Sequence, residues 1–231
     1  MEEAIPNYYP DMRRISVKEL SRGILIVFEG IDGSGKTTQI IKVAQALKEL
    51  NYQVSVTHEP NHNSKWGQLI QNKVKKHREE VTPETELKWY LNDRKWDLEN
   101  NILPALEKNH VVLVDRYYLS NAAYQGALES FTIEYVLQKN SFARKPDLWI
   151  ILDVPVKLGQ KRLRTRDKKD LKDQLEKADY QEDVRRNYQQ LAVMDIGGKI
   201  EWVDASGEED ELTKTLTAII LDFLQDSLKT E

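Results

Sequence analysis

The feature that most limits how this chain can fold is an apolar, β-branched-rich run, Ile24-Leu25-Ile26-Val27-Phe28, that passes through Glu29 into Gly30-Ile31-Asp32-Gly33-Ser34-Gly35-Lys36-Thr37-Thr38. The run reads as a strand buried on both faces, as in a parallel sheet. Beyond it, Ile40, Ile41, Ala44, Leu47 and Leu50 recur at helical spacing. Gly30, Gly35, Lys36 and Thr37 fit G-x-x-x-x-G-K-[ST] at a strand-to-helix turn, the context this phosphate-binding loop requires. Glycines let successive backbone N–H groups point inward at phosphate oxygens, and the new helix adds the positive end of its dipole. Lys36 can reach the β- and γ-phosphates and the Thr37 hydroxyl can ligate Mg²⁺. Residues Gly30 through Thr38 are therefore read as the ATP site, against the plainer reading of a glycine-rich connector.

Strand-like runs and helical patterns then alternate. The runs are 24–29, 53–57, 111–114, 148–152 and 200–203; the periodic segments are 64–77, 83–108, 119–140, 156–192 and 208–228. Such alternation implies right-handed crossovers and a parallel sheet between helices. The expectation is a three-layer α/β sandwich of the P-loop NTPase type, with a central five-stranded parallel sheet and a small helical lid. Residues 1–22 lack clear periodicity and read as an arm before one domain spanning 23–231. In sheets of this kind ligands bind beyond the carboxyl ends of the strands.

Composition narrows the setting. A chain of 231 residues with no cysteine is long enough for a sizeable core and has no disulfide framework or thiolate metal site. A cytoplasmic protein is the default expectation. No apolar run approaches the roughly 18 residues of a membrane span, and the N-terminus shows no signal-peptide core. A net charge of −4 argues against a large nucleic-acid footprint, whereas a small anionic ligand needs only local positive charge.

The third strand ends in Asp115-Arg116-Tyr117-Tyr118-Leu119-Ser120-Asn121-Ala122-Ala123-Tyr124-Gln125. Asp115 stands where a P-loop enzyme places a second metal-associated carboxylate, and Arg116 offers a forked donor for another phosphate. Together with the loop at 30–39, this run resembles the thymidylate kinases. The resemblance extends through Glu59-Pro60, Asn92-Asp93-Arg94, Ile102 to Leu106, Arg162 to Arg166, Glu176 to Val184, Tyr188 and Val203-Asp204-Ala205.

That resemblance implies phosphoryl transfer from Mg²⁺·ATP to dTMP in a homodimeric enzyme. It makes Tyr90 the face that stacks on thymine and Arg94 a donor to thymine O4. Asn121 lies near the base, Tyr124 excludes a ribose 2′-OH, Asp32 accepts from the 3′-OH, and Arg116 holds the 5′-phosphate. Glu59, Ser120 and Gln125 complete the acceptor set; Lys36, Asp115 and Arg116 are catalytic, with Thr37 and Asp115 at the metal. The basic segment Lys161 to Lys169, within a lid of about 161–175, resembles the family's lid, and position 33 is glycine, so Arg164 and Arg166 are expected to supply charge at the transition state.

One stretch departs from the bacterial pattern: His58-Glu59-Pro60-Asn61-His62-Asn63 replaces an arginine and both glycines. This remodelled loop keeps two other readings open, a kinase for another nucleoside monophosphate or a deoxynucleoside, with Glu59 as general base in the latter case. A non-catalytic nucleotide-binding module is the remaining alternative. His58 and His62 lack a third ligand in register and are read as loop residues.

Overall fold

The computed structural model describes residues 18–128, 131–166 and 172–229. Most of the expected arm, residues 1–17, the stretch 167–171 of the expected lid and the Arg166 side chain lie outside the described residues. The strands are β1 (Ile24–Glu29), β2 (Val54–His58), β3 (Val111–Asp115), β4 (Leu148–Asp153) and β5 (Lys199–Asp204). They form one sheet in the order β2-β3-β1-β4-β5, with every pair parallel.

Burial explains why these runs are strands. β1 and β3 are buried at every residue and β4 at all but its last, so near-continuous Ile, Leu and Val is what they need. The edge strands β2 and β5 are only partly covered, and their sequences are correspondingly mixed, Val-Ser-Val-Thr-His and Lys-Ile-Glu-Trp-Val-Asp. Helix α1 (Lys36–Glu49) packs with α9 (Glu209–Lys229) on one side of the sheet. On the other, α5 (Tyr118–Gly126) packs with α3 (Pro83–Asp97), α6 (Ile133–Lys139) and α8 (Lys172–Leu191).

Several long periodic segments are broken where local chemistry forbids a continuous helix. The segment 64–77 holds a short α2 (Lys65–Leu69) followed by a π turn at Ile70–Val74. In 83–108, α3 gives way to a π turn at Leu98–Ile102 and then α4 (Leu103–Leu106), where Pro104 has no N–H to continue the ladder. In 119–140 the break falls before Thr132, whose hydroxyl accepts from Tyr135 N–H at 3.2 Å and starts α6 afresh. The segment 156–192 carries α7 (Val156–Arg166) and α8, and residues 167–171 between them are outside the described residues. Periodicity persists across these breaks because both halves bury a face against the same core.

Candidate active site

At the carboxyl end of β1 the chain turns through Gly30, Gly33 and Gly35, all at positive φ. At Gly33, φ is 79° and a Cβ would come within 2.2 Å of the Gly159 carbonyl oxygen of α7. The loop is thus packed against α7, and position 33 has no room for a longer side chain. Lys36 is buried and folds over its own loop, donating to the Gly30 and Ile31 carbonyls at 2.9 and 2.8 Å and lying 3.2 Å from Ser34 Oγ. Burial, and then the nearby Arg116, push its ammonium pKa down to about 8, against the pull of Asp115, Asp32 and Glu29.

Thr37 Oγ1 donates to Asp115 Oδ2 at 2.6 Å, joining the start of α1 to the end of β3. The other oxygen, Asp115 Oδ1, is buried and has no partner among the described residues. Arg116 follows in the left-handed region at φ 70°, an uncommon conformation for a side-chain-bearing residue. It is held there by its N–H to the Phe28 carbonyl at 3.0 Å. Its guanidinium reaches Asp32 Oδ1 at 2.5 Å, Ser120 Oγ at 3.1 Å and Tyr124 Oη at 3.4 Å, above the Tyr124 ring.

A second cluster, behind the loop, is built from side chains. Arg94, 1% exposed, donates to Asn121 Oδ1 at 2.6 Å, to Asn140 Oδ1 and to Glu59 Oε2, over the Tyr117 ring at 5.0 Å. Burial drives the Glu59 carboxyl well above its ordinary range; Arg94 opposes this, and Asp97 and Asp93 add to it. The 58–63 loop is knit to α3 through Asn61, whose backbone N–H reaches Asp93 Oδ2 at 2.9 Å and whose amide reaches Asp97 Oδ1 at 2.9 Å. Here Asn61 supplies the loop's anchor, and Gly67 is needed because its Cβ would meet the Asn61 carbonyl oxygen at 1.9 Å. The rings of His58 and His62 lie 5.0 Å apart, both residues exposed.

Beside this network lies a cavity of about 320 Å³ lined by Gln125, Phe131, Leu128, Val81 and the Arg78–Glu86 pair. The pair is bidentate, at 2.9 and 2.7 Å. Gln125 is 2% exposed, yet among the described residues neither its amide oxygen nor its nitrogen has a partner. A buried carboxamide left unpaired is costly, so both groups are free to read a ligand.

The structure gathers Asp32, Lys36, Thr37, Asp115, Arg116, Ser120 and Tyr124 around one seam, and Glu59, Arg94 and Asn121 behind it. Helix α5 carries residues of both groups. Tyr90 is half-buried on α3, and burial pushes its phenol upward, with Glu86 adding to the effect. Arg164 is exposed on α7, and among the described residues no hydrogen bond or ion pair joins it to either group.

Sequence reading missed Glu29 as a functional residue. Fully buried, it accepts from Tyr117 N–H, Ser120 N–H, Ser120 Oγ and Tyr188 Oη at 2.6 to 3.0 Å, and so fixes the start of α5. Burial raises its carboxyl; the hydrogen bond from Ser120 and the charge of Arg116 work against that. A carboxylate ending an otherwise apolar strand was the signal. Gln181 of α8 was also passed over; its side chain accepts from Asp32 N–H at 3.2 Å.

Comparison with known proteins bears on this geometry. Residues 28–216 match the family model described as thymidylate kinase. The probable thymidylate kinase of Archaeoglobus fulgidus is 40% identical over 207 residues, covering 87% of this chain and 96% of that protein. The thymidylate kinase of Desulfotalea psychrophila is 42% identical over 170 residues, 74% of this chain and 82% of the relative. A probable thymidylate kinase of Pyrococcus abyssi is 38% identical over 203 residues, 86% and 96% of the two chains. With a loop that ties Thr37 to Asp115, a forked Arg116 at the seam and a match running through both, the chain belongs to the thymidylate kinase family.

Proposed function

We propose that this protein transfers the γ-phosphate of ATP to dTMP, forming dTDP and ADP. The observation that carries the reading is the seam itself: Arg116 touches Asp32 of the donor loop while α5 presents Asn121 and Gln125 to the acceptor side. An oxygen of the dTMP phosphate attacks the γ-phosphorus in line; the new P–O bond forms as the β,γ-bridging bond breaks, and its electrons leave with ADP. The attacking oxygen is already anionic, so no protein base is required, and catalysis rests on positioning and charge. Lys36 and Arg116 hold the phosphates, with Arg164 and Arg166 as the lid's contributors.

Thr37 Oγ1 and the partnerless, buried Asp115 Oδ1 form an oxygen-only donor set that fits Mg²⁺. When bound, the ion neutralises charge on the β- and γ-phosphates. On the acceptor side, Gln125 offers one donor and one acceptor and can turn to suit thymine or cytosine. Arg94 has donors only, so it matches the thymine O4 carbonyl and opposes the cytosine amino group. Asp32 and Tyr124 select deoxyribose, and Tyr90 supplies the stacking face. Ser120 contributes by holding Arg116, since its hydroxyl is given to Glu29 at 2.6 Å.

Residues 23–231 act as one kinase unit with the lid at about 161–175, in a homodimeric, cytoplasmic enzyme. Among the described residues no helix is long and apolar enough to cross a membrane, and light scattering would report the dimer. The deciding assay measures ADP formation from Mg²⁺·ATP with dTMP, dUMP, dCMP, dGMP, AMP or thymidine singly. The expected order is dTMP, then dUMP, with little from dCMP; the methyl group contributes only about 1–3 kcal/mol. Turnover of thymidine without dTMP would overturn the proposal, as would nucleotide binding with no turnover of any acceptor.

A further inference from the structure

Asn140 lies outside every motif that pointed to the site. It follows α6 as that helix's C-terminal cap and is 3% exposed. Its amide nitrogen donates to the Val136 carbonyl at 2.9 Å, which closes the helix end. The amide oxygen faces the other way and accepts from Arg94 Nη1. Asn121 Oδ1 accepts from the same nitrogen at 2.6 Å, so the two hydrogens of Nη1 are matched by two neutral acceptors. Glu59 takes Nη2 on another side, and the Tyr117 ring supports the guanidinium from its face. Of the five donors of an arginine fork, Nε–H is buried and has no acceptor among the described residues.

A single acceptor on Nη1 would leave the fork free to pivot. Two acceptors from separate elements, one on α5 and one at the end of α6, define its plane and direction.

We propose that Asn140 is a positioning residue for pyrimidine specificity, orienting Arg94 so that its uncommitted donors stay available to a base carbonyl. This rests on the reading of Arg94 as the donor to the base. Asn140→Ala removes the acceptor; Asn140→Asp keeps an oxygen toward Arg94 but removes the donor to Val136, separating the Arg94 link from the helix cap.

The experiment measures kcat and KM for dTMP and dCMP, with melting temperature, in wild type, Asn140→Ala, Asn140→Asp, Arg94→Met and the Asn140→Ala/Arg94→Met double variant. Asn140→Ala is expected to raise KM for dTMP about tenfold, leave kcat within about twofold, and cut discrimination against dCMP about tenfold. Asn140→Asp should recover most of the dTMP KM despite losing the cap bond. In the Arg94→Met background, Asn140→Ala should add little, because its effect passes through Arg94. If Arg94→Met impairs dTMP while both Asn140 variants keep wild-type KM and discrimination, or lose only melting temperature, the role of Asn140 is overturned and the Arg94 reading stands. Full additivity in the double variant overturns it too, even when Asn140→Ala alone folds poorly, since Asn140→Asp serves in the same cycle. An Arg94→Met enzyme with unchanged KM and discrimination overturns both.

Discussion

The proposed donor loop and the proposed acceptor pocket sit side by side but are built in opposite ways. The loop is a contiguous stretch, Gly30 to Thr38, whose backbone N–H groups would meet the phosphates, with Lys36 and Thr37 as its proposed key side chains. The pocket is assembled from Glu59, Arg94, Asn121 and Asn140, and Arg94 finds its partners 27 to 46 residues away in sequence. A contiguous loop makes an anion site that serves any nucleotide; a pocket of dispersed side chains reads one base. Changes to the first should therefore depress catalysis without regard to acceptor. Changes to the second should alter which acceptor is preferred.

The largest expected effect tests the first half of that contrast. Lys36→Met should lower kcat/KM by about 10³-fold or more through lost transition-state charge. Initial rates with dTMP and dUMP should fall by the same factor, and unequal losses would break the separation of donor and acceptor roles. Arg94→Met is expected to do the reverse, raising KM for dTMP by about 10- to 100-fold and eroding discrimination against dCMP with a smaller change in kcat. It also strands Glu59 without its cation, so thermal melting should show a loss of roughly 3–5 kcal/mol.

A subtler test concerns protons. With its pKa near 8, Lys36 of the free enzyme is about half deprotonated at pH 8, and the bound polyphosphate should restore its charge. Calorimetry of Mg²⁺·ATP binding at pH 8 in buffers of different ionisation enthalpy should report uptake of about half a proton per site. Affinity should weaken as pH rises past 8. The linked stability runs oppositely: a lysine depressed from 10.5 to about 8 makes the unfolded chain bind more protons between those values, so stability from this group rises with pH there. No proton uptake would mean that the loop holds Lys36 charged throughout. The smallest effect is expected for Tyr124→Phe, which loses a 3.4 Å contact to Arg116 but keeps the ring. Within about threefold of wild type on dTMP is the expected result, since one long hydrogen bond is worth little.

Legibility followed the same division. The strands could be read because β1, β3 and β4 are buried and their apolar runs have no other use, and the loop because its glycines and lysine must be adjacent. Helix limits were harder to read. The π turn at Leu98–Ile102 ahead of Pro104, and the fresh start of α6 at the Thr132 cap, interrupt the α-helical ladder while the apolar spacing continues beyond them, so separate helices look like one. Glu29 and Asn61 were overlooked as anchors because a carboxylate or an amide reveals its work only when its partners are known. Those of Glu29 include Tyr188, 159 residues away.

The sequence by itself determined the parallel sheet, the phosphate loop and the order of the acidic and basic groups at the strand ends, because each depends on residues that are neighbours along the chain. Tertiary structure alone decided how Arg94 is gripped, how Asn61 replaces a glycine-rich turn, and why position 33 must stay small against Gly159. Each of these is a contact between distant segments, and its energy depends on distances of a few tenths of an ångström that no local pattern encodes.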